Sequence, residues 1–205
     1  MLLPAALFKR PGFPIITAVL TVADVATLLD AFDPRGDARA ALSVARVRAL
    51  LAQSPDPFAR TTYAPGHLTA SGVVLSPDRG SVLLVYHRRL ARWLQPGGHI
   101  EPEDESVTEA ARREVLEETG VKLDRDRAAL VVGVDVHAIP AARGEPPHWH
   151  HDLAVTFVAR KKKLRPTEEV REAVWCALDD LDRYAVDGAL RRSVKRALRL
   201  LGQAA

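Results

Sequence analysis

The chain has a single cysteine, Cys176, in 205 residues, so no disulfide within it can brace the fold. Such scarcity fits a reducing compartment, and a cytoplasmic location is expected. No apolar run reaches the length of a membrane span, so no membrane association is expected. The opening MLLPAALFKRPGF places its positive charges after the apolar stretch, the wrong order for a secretory signal. Charge of one sign is not in excess either: the net charge is +3. The basic cluster Arg191, Arg192, Lys195, Arg196 and Arg199 has no interleaved aromatic residues. It reads as a solvated helix face, and a nucleic-acid partner is not expected. No internal repeat is visible. What remains is an ordinary globular composition, 47% hydrophobic and 27% charged. Its length suits one sizeable domain, or one domain with an appendage.

Two helical patterns come first. Thr21 with Asp24 forms a capping-box signature ahead of an amphipathic run, and Asp37 can cap ARAALSVARVRALLAQ. SPDP then ends the helical pattern. Residues 1–58 are therefore expected to form a helical appendage or lid, with 59–205 as the main domain. From His67 the pattern changes. HLTASGVVL and SVLLVYH are β-rich runs joined by the turn signal SPDRG, predicting a hairpin. A glycine loop and a helix from Ser106 follow, then the strands LVVGVDVHAIP and WHHDLAVTFVAR. EAVWCALDDL predicts a last strand and a helix start, and DGALRRSVKRALRLLG a closing helix. The fold class is α+β, with helices packed on a mixed sheet.

The window WLQPGGHIEPEDESVTEAARREVLEETGV, residues 93–121, carries eight acidic residues and two arginines. At about 100° per residue, Glu114, Glu117 and Glu118 share one sector of the helix with Val107, Ala110 and Ala111. Small apolar neighbours mark a packed face, where several carboxylates repel one another unless a cation sits among them. Oxygen ligands with room for water suit Mg²⁺ or Mn²⁺. Gly97 and Gly98 can turn the preceding loop so that a carbonyl faces the helix, and Arg113 can reach Glu117 one turn on.

This set resembles the signature of the Nudix hydrolases, G-x5-E-x7-R-E-U-x-E-E-x-G-U with U aliphatic. Arg113 to Val121 match the second half, and Gly98 matches the opening glycine. The acidic residue between departs by one: Asp104 follows Gly98 by the usual interval, whereas Glu105 precedes Arg113 by the usual interval. The strand order from 67 to 185 also resembles the family's α/β/α sandwich. The resemblance implies metal-dependent hydrolysis of a nucleoside diphosphate linked to another moiety. It implies Glu117, Glu118 and the Gly97 carbonyl as metal ligands, and Glu114 as ligand or general base. Arg113 would orient the carboxylates, and Asp104 or Glu105 would support them or bind a further ion. Glu168 and Glu169 are candidates for an additional base.

The histidines lie outside that signature. Strand alternation puts His148, His150 and Asp152 on one face, and Asp135 with His137 on one face of the preceding strand. Paired antiparallel, these faces lie side by side, so His137, His150 and Asp152 are expected to line the substrate pocket. Trp93 adjoins the glycine loop and is the aromatic candidate for substrate contact, although packing is its commoner role. The partners expected are a small nucleotide or diphosphate substrate, with a homodimer left open. Two other readings share the fold: a nucleotide-binding regulator without turnover, and an isoprenyl diphosphate isomerase using histidines such as His99.

Overall fold

The computed structural model describes residues 19–88, 90–142, 144–167, 170 and 172–203. Glu168 and Glu169 lie outside them. Helix α1, Val22–Ala31, starts at Thr21, whose side chain accepts from the Asp24 amide while Asp24 reaches back to the Thr21 amide. Helix α2, Ala38–Gln53, starts at Asp37, which accepts from the amides of Arg39 and Ala40. Both caps follow from side-chain oxygens satisfying amides that lack helical partners.

The sheet is built from β1 (His67–Leu75), β2 (Ser81–His87), β3 (Arg92–Leu94), β4 (Gly97–His99), β5 (Val131–Ile139), β6 (His148–Val158) and β7 (Ala173–Ala177). Helix α3, Val107–Thr119, lies between β4 and β5, and α4, Gly188–Gln203, follows β7. The strand order is β3-β2-β1-β6-β5, with β4 on β1 and β7 on β2. At the centre β1 runs parallel to β6 along its whole length. The β1–β2 hairpin is antiparallel as expected, yet its one registered pair is Leu75↔Val82. Beyond the turn the strands part, because β1 pairs with the glycine strand β4 through Thr69, Ala70 and Ser71. Strand β2 instead pairs with β7. Sequence reading had missed the short strands β3 and β4. It also expected a helix after β7, where the chain makes only a 3₁₀ turn at Leu178–Asp180.

Every residue of β1 is buried, since helices cover both faces. One core joins Leu68, Ala70 and Val74 of β1 to Val107, Ala110, Ala111 and Val115 of α3. Val25 and Leu29 of α1 and Val47 and Leu50 of α2 belong to that same cluster. The other face packs Val73 and Leu75 against Leu190, Val194, Ala197 and Leu201 of α4. Close approach of α3 depends on Gly72, where a Cβ would run into the Val115 side chain. At its far end α3 stops at Gly120, whose φ of 67° is left-handed, a conformation that favours glycine. Among the described residues, no helix is long and apolar enough to cross a membrane.

Candidate active site

Ser106 caps α3 by accepting from the Glu109 amide, and the helix carries its carboxylates toward β4. Glu114 and Glu118, one turn apart, are buried at 9% and 7% exposure. Glu117 was expected in the same packed sector, but its side chain is 52% exposed. It leans about 60° from Glu114 on the side away from Glu118, which takes it off the sheet.

Arg113 ties this cluster together. Its Nε donates to Asp104 Oδ1 at 3.1 Å and its Nη2 to Asp104 Oδ2 at 2.8 Å, a two-pronged pair. Nη1 donates to Glu114 Oε1 and Glu117 Oε2, both at 2.9 Å. Nη2 also donates to the His99 carbonyl at 2.8 Å. These bonds, those to Asp104 foremost, hold the guanidinium above its ordinary pKa. The extra residue of the acidic loop is taken up by a turn in which the Asp104 amide donates to the Glu101 carbonyl. Asp104 Oδ2 in return accepts from the Glu101 amide at 2.8 Å. The turn buries Asp104 to 6% exposure and leaves Glu105 exposed. Of the two acids, Asp104 is the one that meets Arg113.

The glycines allow β4 to press against both neighbours. The Gly97 amide donates to Glu118 Oε2 at 3.0 Å. A Cβ on Gly98 would stand 2.7 Å from the Glu114 carboxylate, so the loop and the acid share space that only glycine leaves open.

Beside this cluster opens a cavity of about 520 Å³, within the range of small-molecule sites. Glu114, Glu117, Glu118 and Arg113 line one side, and His99, His137, His150 and Asp152 another. Asp37 and Ala40 of α2 and Arg192, Ser193 and Arg196 of α4 complete the wall. Arg192 Nε pairs with Asp37 at 2.5 Å, and Arg196 donates to the Pro34 carbonyl. Eight carboxylates (Asp37, Glu101, Glu114, Glu117, Glu118, Asp135, Asp152, Asp187) face five arginines (Arg60, Arg92, Arg113, Arg192, Arg196) around the cavity.

Cross-strand register explains the histidine wall. His150 of β6 stands beside His67 of β1 and His137 of β5. In the next row Asp152 lies beside Thr69 and Asp135, and Thr69 beside His99. Asp152 accepts from Ser71 Oγ at 2.6 Å and Thr69 Oγ1 at 3.0 Å. Its burial raises its pKa. Burial also pushes His99 down to about 4 and His150 down to about 2, with the neighbouring histidines adding to the effect. For His137 burial acts in the same direction, but the hydrogen bond that its ring donates to Asp135 and the charge of Asp152 outweigh it and hold the ring above its usual value.

His137, His150 and Asp152 thus sit together at the cavity, whereas Trp93 turns away from it. Its β3 neighbours Arg92 and Leu94 line the cavity, so alternation directs Trp93 to the other face. There it packs edge-on against Tyr184, with ring centres 5.1 Å apart, and against Tyr86 at 5.4 Å. Sequence reading missed His67, Thr69 and Ser71. Their spacing of two along HLTAS was the available signal for one polar face on an otherwise apolar strand.

A family model described as the NUDIX domain matches residues 66–197, and the chain belongs to that family. It is 37% identical over 73 residues to a Bacillus subtilis (strain 168) protein described as "Putative 8-oxo-dGTP diphosphatase". That stretch spans 36% of this chain and only 45% of the relative. Among solved structures, a MutT NUDIX hydrolase from Burkholderia pseudomallei is 29% identical, with a TM-score of 0.46, covering 63% of this chain and 95% of that one. The NUDIX domain of Shewanella oneidensis NrtR, complexed with ADP ribose, is 21% identical with a TM-score of 0.49, covering 65% and 87%.

Proposed function

We propose that the chain is a pyrophosphohydrolase dependent on Mg²⁺ or Mn²⁺, cutting the diphosphate linkage of a nucleoside diphosphate joined to a further moiety. The observation that carries this reading is the carboxylate cluster held by Arg113 at the edge of the cavity. One guanidinium faces Asp104, Glu114 and Glu117, and Glu118 is buried beside them. Acids outnumber arginines around the whole cavity, so a diphosphate entering it needs added positive charge. Oxygen donors from Glu114, Glu117, Glu118 and the Gly97 carbonyl fit a hard divalent cation. When bound, such a cation supplies charge neutralisation on the phosphate oxygens and makes a water more acidic.

The chain's own residues do the positioning. Asp104 fixes the Arg113 fork through two parallel bonds, and the fork sets the orientation of Glu114 and Glu117. The Gly97 amide does the same for Glu118. Half-exposed Glu117 meets the incoming substrate side, while Glu114 and Glu118 stay fixed against β4. Arg60 and Arg92, at the cavity wall, provide cationic donors for phosphate oxygens. His137, held above its usual pKa by Asp135, adds a further donor near neutral pH.

The test is turnover on a panel including 8-oxo-dGTP, ADP-ribose and dinucleoside polyphosphates, with Mg²⁺ or Mn²⁺ and products read by mass. Glu117→Gln and Glu118→Gln each remove a charge with little change of shape. They are expected to lower kcat by about 10² or more while folding survives. Wild-type rates that persist in excess chelator would sink the reading. Binding of a panel member without any product would turn it toward a nucleotide-binding regulator.

A further inference from the structure

The histidine wall contains a feature that the carboxylate chemistry does not use. His67, His99 and His150 each offer one ring nitrogen, and the three nitrogens lie within 4.8 Å of one another. Their ring centres are 5.1 Å (His67–His99), 4.8 Å (His67–His150) and 5.3 Å (His99–His150) apart. His67 is fully buried. Its Nδ1 lies 3.2 Å from the Thr62 carbonyl, which can only accept, so Nδ1 carries the proton and Nε2 bears the lone pair. That Nε2 is buried and has no hydrogen-bond partner. An imidazole held through one nitrogen by a backbone carbonyl, with the other nitrogen bare, is the arrangement that orients a metal-binding histidine.

We propose that His67, His99 and His150 form a second metal site, chemically distinct from the glutamate cluster, for a Zn²⁺-type transition-metal dication. Three imidazoles with a fourth position open match the coordination of Zn²⁺ in sites that keep an exchangeable ligand. Ligand nitrogens around tetrahedral Zn²⁺ stand roughly 3.3 Å apart, so each ring would close by less than about 1 Å. Nitrogen ligands select Zn²⁺, Fe²⁺ or Ni²⁺ over Mg²⁺, while the all-oxygen cluster has the opposite preference. His99 and His150 line the cavity, whereas His67 is fully buried and is not part of that lining. The open position therefore faces the cavity, where it takes water or a phosphate oxygen. His148 buttresses the set: its Nδ1 lies 2.8 Å from the Pro146 carbonyl and its Nε2 3.2 Å from His150 Nε2.

The test uses the full chain, free of any affinity tag and stripped with chelator, titrated with Co²⁺ in millimolar Mg²⁺. One equivalent of Co²⁺ is expected to give visible d–d absorption that Zn²⁺ abolishes. His99→Ala and His150→Ala should each weaken Co²⁺ binding at least about tenfold, with far-UV circular dichroism confirming the fold. Glu117→Gln and Glu118→Gln should leave the Co²⁺ signal intact, which separates this site from the proposed hydrolytic one. No stoichiometric signal in the wild type would overturn the proposal. So would a signal lost in the glutamine variants and kept in the alanine variants.

Discussion

Replacing Arg113 by lysine keeps one positive charge but removes the planar fork, and the outcome can be worked from the geometry. A single ammonium cannot reproduce the two parallel bonds to Asp104 while also reaching Glu114, Glu117 and the His99 carbonyl. Asp104, at 6% exposure, is then left partly unpaired. Breaking a buried pair costs about 3–5 kcal/mol. Arg113 keeps 26% side-chain exposure and lysine retains some attraction, so about 2–3 kcal/mol is the expected loss. For a chain of this size each kcal/mol moves Tm by about 2–4 °C, giving a fall of about 4–12 °C by calorimetry. kcat should fall at least about 10², because Glu114 and Glu117 lose their common anchor. Adding Asp104→Asn to Arg113→Lys removes the stranded charge. The double variant should regain part of the stability and none of the activity. Glu105→Gln, on the exposed neighbour, should change neither. A lysine variant within about 0.5 kcal/mol of wild type, or a double variant no more stable than the single, would refute this account of Arg113.

Three further outcomes are expected. Gly98→Ala would drive a methyl to 2.7 Å from the Glu114 carboxylate; activity on the panel should collapse, and wild-type kinetics would mean that Glu114 has no fixed role. Leu50→Ala in α2, where the side chain is 2% exposed, should cost about 2–5 kcal/mol in denaturant unfolding. A loss under 1 kcal/mol would mean that α1 and α2 merely rest on the core. The pH dependence follows from His99, His150 and His151, held near 4, 2 and 4 in the fold, with His67 lowered as well. Their unfolded forms take up protons from about pH 6.5 downward while the folded forms resist. Stability should therefore be full above about pH 6.5 and decline toward pH 5, before most carboxylates titrate. His137, raised in the fold, opposes part of that slope. Substituting both His99 and His150 by glutamine should lessen the decline measured by urea unfolding at pH 7 and pH 5.5, with His151 and His67 supplying the remainder.

The elements most legible in the sequence were those with local causes. Thr21, Asp37 and Ser106 announced three helix starts because a cap is chemistry confined to four residues. Alternation in WHHDLAVTFVAR placed His150 and Asp152 on the polar face correctly, since a strand's period is set by its own backbone. The Arg113–Glu118 run announced the acidic cluster for the same reason. What the sequence left unread depends on partners distant along the chain. The parallel pairing of β1 with β6 joins residues about eighty positions apart, and only that pairing brings His67 beside His150. Glu117's exposure and Trp93's orientation depend on how α3 and β3 sit against the sheet. The extra loop residue was undecidable by counting; a turn that buries Asp104 settles its neighbour's place.

The cavity wall made by Asp37 and Ala40 on one side and Arg192, Ser193 and Arg196 on the other joins segments more than 150 positions apart. The NUDIX match begins at residue 66, so the α2 half of this wall lies outside the shared family core. The cavity thus takes its wall both from the matched region and from a segment that precedes it. Substitutions at Asp37 or Ala40 alter that wall without touching the glutamates of α3. Such substitutions are expected to shift KM across the nucleotide panel more than they change the products formed.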